Sequence, residues 1–523
     1  MTERPVPPPP PPPPPPQAPL AAELELADDH EWQRLDPRML LVYPIRELLR
    51  FLPVLIAILI AGSASGDGPP WRYLGVVIPI GLGVLRYVTT GFRIADGRVE
   101  LRHGLLSRHV LSTPLDRVRT VDLTASPIHR VVGLTTLRIG TGTGGEDDKL
   151  DLDGLPVARA HRLREGLLRI TEPERLPGAY GERPDAPPDP PSPPLVSFDL
   201  SWLRYAPFTS GGLVVAAAVF GGLSQLLNLF DGWERLGDAH IAIASGLIVA
   251  VLLGVVLLIA AVALLAMTGY LVTNWGFRLT HSGGAWHVRR GLLTTRETSI
   301  DEDRVAGVCL SEPLLLRAAR GRSLSAVVTG IDTGDAGNAA LVPPSPEHIA
   351  PRVAGAILGT DAPMTVPLHD HGPAARRRRW TRALVPVGLV VAAAILIAVL
   401  GGPWWPLGPA GLLLVLAVVV ARDRAAGLGH ALVDGYVVAR SGSLARHRVA
   451  LAVDDVIGWN FRATYFQRRM GLTTRLATTA GGGGSVTVLD VPEDDALRLA
   501  ATALPSLVEQ FCREPRLSTP SPS

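Results

Sequence analysis

The chain reads Arg102-His103-Gly104-Leu105-Leu106, then Asp116-Arg117-Val118, then Gly133-Leu134-Thr135-Thr136, and this spaced series decides its fold. The series recurs in altered form at 289–293, 303–305 and 321–324, and again at 440–444, 454–456 and 471–474. The interval from the first glycine to the valine is 14 residues in every copy (118 − 104, 305 − 291 and 456 − 442), and the next interval, from valine to glycine, is 15, 16 and 15. Intervals this regular indicate that one unit occurs three times.

A pair of long apolar segments precedes each copy of the series. The six segments cover 46–65 and 72–90, 208–230 and 240–269, and 383–402 and 404–421. Each is close to the ~20 residues that a helix needs to cross the hydrocarbon core of a membrane. Buried helices of a soluble protein are the alternative, but the recurrence of the pairs at matching repeat positions favours membrane spans.

The distribution of arginine predicts the orientation of these spans. The turns within the pairs are short and carry few basic residues, whereas the other flanks are rich in arginine, most of all at Arg376, Arg377, Arg378 and Arg379. Because positive charge stays on the cytoplasmic side, we expect a multi-pass protein of the cell (inner, plasma) membrane with both termini and all three polar stretches in the cytoplasm. The same arginines would attract anionic lipid by about 1 kcal/mol each.

Each polar stretch predicts a small domain of strands closed by a helix. In the first copy, 92–94, 99–102, 108–111, 118–123, 136–139 and 149–152 alternate as strands do. Amphipathic helices that begin at proline follow at 156–170, 346–358 and 492–507. Six or seven strands with one C-terminal helix predict a half-open barrel whose open end the helix covers.

The hairpin, the Gly91-Phe92-Arg93-Ile94 opening and the three motifs together resemble the bacterial pleckstrin-homology-like membrane family with its YdbS-like PH domain, formerly a domain of unknown function. The resemblance covers about 91–172, 270–359 and 428–510 with their hairpins, and three-copy members have this six-helix layout. It implies an α+β membrane protein with six transmembrane helices in three hairpins, each followed by a cytoplasmic PH-like β-barrel with a C-terminal helix. It implies no catalytic residue.

The predicted order of domains follows from these segments. It is a disordered proline-rich tail (1–45, with Pro7 to Pro16 as a polyproline arm), hairpin 1 (46–90), PH-like domain 1 (91–172), a proline-rich linker (173–200), hairpin 2 (201–269), PH-like domain 2 (270–359), a basic linker (360–381), hairpin 3 (382–421), PH-like domain 3 (422–511) and a disordered tail (512–523).

Composition and motifs exclude several classes of function. The formal net charge is +2, which gives no overall basic field for nucleic acid. The glycine-rich stretch 140–145 matches a dinucleotide pattern, but acidic residues and a strand follow it instead of a helix. His369-Asp370-His371 could be half of a metal site, yet no second cluster accompanies it. We therefore expect no enzyme, cofactor, metal or small-molecule substrate.

Candidate contact residues are basic. Arg130, Arg317 and the pair Arg468 and Arg469 occupy corresponding positions beside apolar tips, and 376–379 is the densest cluster. All of these are candidates for contact with the membrane surface or a partner. A structural turn is the alternative at the three tips, and a role in orienting the membrane spans is the alternative for 376–379. The predicted function is non-enzymatic binding or scaffolding at the membrane face, with the lipid bilayer and another membrane protein or a second copy as partners; the resemblance suggests envelope stress or amphiphile resistance. The alternative is a transporter or its accessory subunit.

Overall fold

A computed structural model of the chain describes residues 32–48, 50–51, 74–95, 97–104, 109–114, 120–140, 150–170, 193–229, 244–329, 340–479 and 485–505. The chain divides into two compact units. The first comprises 1–121, 128–139 and 150–179, the second comprises 122–127, 140–149 and 180–523, and each is described by itself.

Some sequence-based predictions concern residues outside these ranges. They are the polyproline arm 7–16, most of the predicted span 46–65, the motif 116–118, most of the glycine-rich stretch 140–145, the linker region 173–192 and the tail 512–523.

The first unit holds most of the first copy. Its elements are β1 (Gln33–Arg34), α1 (39–48), α2 (Leu74–Thr89), β2 (Gly91–Ala95), β3 (Arg98–His103), β4 (His109–Pro114), β5 (Thr120–Ala125), which extends beyond this unit, α3 (Pro127–Val132), β6 (Leu134–Gly140), β7 (Leu150–Pro156) and α4 (Val157–Ile170). An antiparallel sheet runs β1–β2–β3–β4, and β6 pairs with β7. β1 precedes the apolar segments and pairs with β2, which follows them, so the repeating unit begins before its hairpin.

The second unit begins with the second copy. Its elements are β8 (Val196–Ser197), a 3-10 helix (Leu200–Phe208), α5 (Ser210–Leu229), α6 (Ala244–Asn274), β9 (Arg278–Ser282), β10 (Ala285–Arg290), β11 (Thr295–Asp301), β12 (Val305–Pro313), α7 (Leu314–Ala318), β13 (Gly321–Val328), β14 (Ala340–Pro346) and α8 (Ile349–Leu358). The antiparallel order is β8–β9–β10–β11. The motif before Val305 forms a single 3-10 turn, Glu302–Arg304, which the side chain of Asp301 caps.

The third copy follows in the same unit. Its elements are α9 (Ala362–Thr365), α10 (Gly372–Val399), α11 (Leu407–Ala426), β15 (Gly429–Val433), β16 (Tyr436–Ser441), β17 (Ala445–Ala452), β18 (Gly458–Arg462), α12 (Tyr465–Arg468), β19 (Leu472–Thr478), β20 (Ser485–Pro492) and α13 (Glu493–Ala503). α9 and the first turns of α10 lie within 360–381, the segment predicted as a basic linker. β18, β19 and β20 form a three-stranded sheet.

One sheet joins the second and third copies. Its order is β14–β13–β12–β17–β16–β15, so the last three strands of copy two continue into the first three strands of copy three. β12 and β17 pair antiparallel over seven positions, from Gly307 opposite Leu451 to Pro313 opposite Ala445. At Gly307 a Cβ atom would lie 2.0 Å from the carbonyl oxygen of Ala450, so this close approach requires glycine.

The prediction of a half-open barrel within each copy is therefore corrected. An edge strand can satisfy its backbone groups on any antiparallel neighbour, and β12 does so on the following copy rather than within its own copy. The described strands form open sheets. The second half of copy two and the first half of copy three belong to the same sheet. The hydrophobic core follows this arrangement, since Val308 and Leu324 of copy two belong to one cluster with Val438 and Ala450 of copy three.

The backbone also corrects the alignment of the second copy. Gly133 and Gly471 have φ angles of +76° and +62°, and the corresponding left-handed residue is Arg320, with φ +59°, not Gly321. Counted to this residue, the interval from the motif valine is 15 in all three copies (133 − 118, 320 − 305 and 471 − 456). The position is therefore set by a backbone turn, although the second copy has no glycine there.

The described residues contain fewer clear spans than the six predicted. Two helices are long and apolar enough to cross a membrane, 252–274 within α6 and Gly372–Val399, and the 3-10 helix with 210–222 of α5 would add a third, bent by 59°. α2 has only 16 described residues, and α11 ends with the charged run Arg422-Asp423-Arg424.

Candidate functional site

The arginine run 376–379 divides between two faces of α10. Arg376 and Arg377 are exposed, and Arg376 pairs with Asp370 at 3.5 Å. Arg378 points inward and pairs with Asp490, and the Nη2 atom of Arg379 lies 2.6 Å from the other oxygen of the same carboxylate. Successive residues of a helix are rotated by about 100° around its axis. Arg376 and Arg377 can therefore face solvent while Arg378 and Arg379 face the protein interior.

Asp490 is the centre of a buried polar network. Its side chain is 1% exposed, and it lies in β20 with a left-handed φ of +54°. The side-chain amide of Gln467 donates a hydrogen bond of 2.7 Å to it and another of 2.7 Å to Thr474. Gln467 also completes a capping box with Thr464 at the start of α12, so the short helix holds the amide in place.

A basic cavity opens beside this network at the cytoplasmic end predicted for α10. It measures about 210 Å³ and is lined by Arg378, Arg379, Arg382, Arg462, Thr464, Gln467, Thr474, Leu489 and Asp490. Four arginines and one aspartate are among the lining residues, so their formal charges sum to an excess of three positive charges. Arg382 and Arg462 are exposed, and neither has an acidic partner among the described residues.

The first copy builds a related network from different residues. Asp153 of β7 accepts hydrogen bonds from Thr136 at 2.6 Å and pairs with His129 at 3.0 Å and Arg46 of α1 at 3.3 Å. His129 and Thr136 correspond in the repeat to Gln467 and Thr474. Burial raises the pKa of the Asp153 carboxyl, but the hydrogen bonds from His129 and Thr136 outweigh it and hold that pKa below its ordinary value.

In the second copy the position that corresponds to this polar network is occupied by apolar side chains. Leu316 occupies the position of Gln467 and is buried, and a Cβ atom on Gly321 would meet Leu316 and Tyr205 at 2.7 and 2.6 Å. Arg317 is directed elsewhere: it pairs with Asp423 at the end of α11 at 2.7 Å, and Arg446 of β17 binds the same carboxylate at 2.7 Å. Arg317 therefore forms an ion pair that links copies two and three.

The other predicted contact residues lie on exposed tips. Arg130 is exposed on α3, and Arg468 and Arg469 are exposed at the end of α12. Tyr465 and Phe466 beside them are 61% and 71% exposed. The structure thus brings together Arg378 and Arg379 of the predicted set. It adds Arg382, an arginine of the same flank that was not among the predicted contacts, and Arg462, Gln467 and Asp490, which the sequence did not indicate.

The segment His369-Asp370-His371 forms part of a histidine cluster. His371 donates from Nδ1 to the carbonyl oxygen of Leu489 at 2.8 Å, so its Nε2 accepts from His430 Nδ1 at 2.9 Å. Within the described ranges no group of three histidine, cysteine or acidic side chains has an arrangement that could hold a metal ion. Burial, followed by the nearby charge of His371, lowers the pKa of His430 from 6.5 to about 4.

We predict that acid destabilises the third copy through His430. The folded pKa of about 4 lies below the unfolded value of 6.5, so the unfolded chain takes up the proton first and stability is lost as pH falls from 6.5 toward 4. Between pH 7 and pH 5 the loss should be about 2 kcal/mol. Thermal unfolding in detergent measures it, and His430→Asn, which keeps a donor without titrating, should flatten the dependence; an equal slope in both proteins would contradict the assignment.

Comparison with known proteins agrees with the repeat. The bacterial PH domain family model matches residues 42–171, 218–355 and 382–504, which is most of the chain, and each match includes apolar helix residues before the strands. The UPF0699 transmembrane protein YdbT of Bacillus subtilis (strain 168) is 24% identical over 249 residues, which cover 45% of this chain and 49% of that protein. The matched region thus spans about half the length of this relative. No solved structure matches. The chain therefore belongs to the bacterial PH domain family and carries three copies of the domain in series.

Proposed function

We propose that this chain is a multi-pass protein of the inner membrane with both termini in the cytoplasm, and that its third PH-like domain binds anionic phosphate groups of lipid at the membrane face. The transmembrane relative and the apolar helices support the location. A fluorescent protein fused after Ser523 should then fluoresce, because its chromophore forms in the cytoplasm; a dark fusion exported to the periplasm would contradict the orientation.

The basic cavity is the observation that carries the binding proposal. The uninterrupted apolar part of α10 starts at Ala383, directly after Arg382. With a rise of about 1.5 Å per residue, Arg378 and Arg379 lie only about one turn earlier. If α10 crosses the membrane, the cavity is therefore at the depth of the lipid headgroups.

Some of the positive charges that line the cavity are not neutralised by Asp490 and remain available to bind an anion. Asp490 neutralises one of the two guanidinium groups that it contacts, those of Arg378 and Arg379. Arg382 and Arg462 are exposed and have no acidic partner among the described residues. Planar guanidinium groups bind phosphate oxygens through paired, charge-assisted hydrogen bonds. Tyr465 and Phe466 follow the cavity residue Thr464 in sequence, and exposed aromatic side chains suit the membrane–water interface.

A transporter is the second candidate and has less support. α6 and the apolar part of α10 contain no charged residue between Ala244 and Asn274 or between Ala383 and Val399. Substrate and ion pathways are usually marked by ionisable side chains inside the membrane. The polar chemistry of the described chain is concentrated outside these stretches, which favours binding at the surface.

We predict that Arg382→Ser with Arg462→Ser weakens the binding of dioctanoyl-phosphatidylglycerol at least about tenfold, because two charged hydrogen-bond donors are lost. The apparent Kd is measured from the lipid-dependent thermal stabilisation of the full chain in neutral detergent. The matched control is Arg376→Ser with Arg377→Ser, which removes the same charge from the exposed face of α10 and should bind normally.

Two further probes identify the source of the phosphate group. Dioctanoyl-phosphatidylcholine should not stabilise the protein, and glycerol phosphate should bind weakly because it lacks acyl chains. Equal binding of glycerol phosphate and phosphatidylglycerol would assign the cavity to a soluble phosphate. An equal loss of affinity in both double variants would show that only overall charge matters and would overturn the site.

A further inference from the structure

The outer edge of β18 lacks a neighbouring strand within the described part of the chain. β18 pairs with β19 on one side and is the end strand of its sheet. β12 holds the corresponding place in copy two, since each of these strands follows the motif valine, Val456 or Val305. β12, however, has β17 on its outer side. The unpaired edge of β18 in copy three is therefore equivalent to the edge of β12 that pairs with copy three.

A glycine in β18 matches the one that permits this contact. Gly458 and Gly307 both lie two residues after the motif valine. At Gly307 a Cβ atom would lie 2.0 Å from a carbonyl oxygen of β17, whereas a Cβ atom at Gly458 would meet nothing within 4 Å. The backbone of β18 thus has the same clearance for a closely approaching strand, with the space still open.

The side chains on this edge show the same difference. Phe461 corresponds to Leu310, because each lies five residues after the motif valine. Leu310 is 2% exposed within the joined sheet, but Phe461 is 46% exposed. An exposed strand edge with apolar side chains is a surface that proteins usually cover.

A complementary edge lies at the other end of the series of repeats. β4 is the first copy's equivalent of β17, and it is the end strand of the sheet β1–β2–β3–β4. It pairs with β3, and the described residues place no strand on its other side. Val110 of β4 is 52% exposed. The first and third copies therefore each carry one unpaired edge: β4, the equivalent of β17, and β18, the equivalent of β12.

We propose that β18 of one chain pairs antiparallel with β4 of a second copy of this chain. Transfer of the β12–β17 register places Gly458 opposite Thr113, Asn460 opposite Leu111 and Phe461 opposite Val110. The two exposed apolar side chains, Phe461 and Val110, then face each other directly, and directly opposed side chains of this kind stabilise a sheet. Both edges fit one register, and the described residues of a single chain leave both unpaired, so we assign the occupant to another copy.

The contact joins different surfaces of two identical chains, so it is a head-to-tail contact. Such contacts generate either a closed ring or an extended row. Because the chains lie in one membrane, their sheets would join along the cytoplasmic face. This inference does not depend on lipid binding in the basic cavity.

Disulfide crosslinking in membranes tests the proposal with the full chain. Cys309 and Cys512 are replaced by serine, and two differently tagged chains are co-expressed, one carrying Val110→Cys and the other Phe461→Cys. Mild oxidation should yield a species that contains both tags. Asn460→Cys in place of Phe461→Cys is the matched control and should not crosslink, because neighbouring residues of a strand point to opposite faces.

A second variant separates association from folding. Gly458→Val should abolish the crosslink between chains while leaving the midpoint of thermal unfolding unchanged, since its side chain enters open space in the single chain. If a chain carrying both Val110→Cys and Phe461→Cys crosslinks only within itself, the edges close inside one molecule and the proposal is wrong. Absence of any crosslink, or equal crosslinking through Asn460→Cys, would overturn it as well.

Discussion

Replacing Asp490 with asparagine should destabilise the third copy by about 3–5 kcal/mol, the usual cost of removing one partner from a buried ion pair. Asparagine has the same shape and tolerates the left-handed backbone at this position. It can still accept a hydrogen bond from Gln467. The variant therefore removes mainly the charge that compensates Arg378 and Arg379.

The measurement is the midpoint of thermal unfolding in detergent, followed by tryptophan fluorescence. Asp370→Asn is the control, because Asp370 pairs with Arg376 at the surface and exposed pairs contribute at most about 1 kcal/mol. Adding Arg378→Met and Arg379→Met to Asp490→Asn should recover much of the loss, since no uncompensated charge remains. Equal effects of the two single asparagine variants would contradict the buried network.

Replacing Gly307 with valine should separate the sheets of copies two and three. The new Cβ atom would lie 2.0 Å from the carbonyl oxygen of Ala450, so β12 and β17 would have to move apart. Overpacking alone costs about 1–3 kcal/mol, and the lost hydrogen bonds of the ladder add to it. We expect a lower unfolding midpoint and faster proteolysis between 340 and 372, where the chain passes from one copy to the next.

Gly458→Val is the matched control for this experiment as well. It introduces the same side chain at the equivalent glycine of copy three, where no atom lies within 4 Å. The single chain should therefore unfold at its normal temperature. If Gly307→Val were equally harmless, β12 and β17 would not form the ladder described above.

The sequence predicted the repeating elements because their signals are local. Alternating strands and proline-initiated helices appear close to the expected places: the helix expected over 156–170 is Val157–Ile170, and the one expected over 492–507 is described over Glu493–Ala503. Motif spacing aligned the three copies at Gly133, Gly321 and Gly471, and the backbone shows left-handed residues at Gly133 and Gly471 but at Arg320 in copy two. A glycine is the usual signal for that conformation, and here a neighbouring residue adopts it.

The pairing of strands could not be predicted in the same way. The alternation in β12 is the same whether its outer neighbour belongs to its own copy or to the next one, so periodicity does not distinguish a barrel from a joined sheet. Asp490 occupies the place of Gly154 in the repeat, so no recurring acidic residue marks this position in the sequence. Its partners, Arg378 and Gln467, are 112 and 23 residues away, and only tertiary contact brings them together.

The joined sheet has a consequence for synthesis on the ribosome. β12 ends at Pro313 and its partner strand begins at Ala445, so 132 residues (445 − 313), including α10 and α11, must be made before the two can pair. At about 5–20 residues per second this interval is on the order of ten seconds. During that time the nascent chain carries an open strand edge while its next hairpin enters the membrane. Slow insertion of α10 and α11 would thus prolong the period in which a half-made molecule can aggregate.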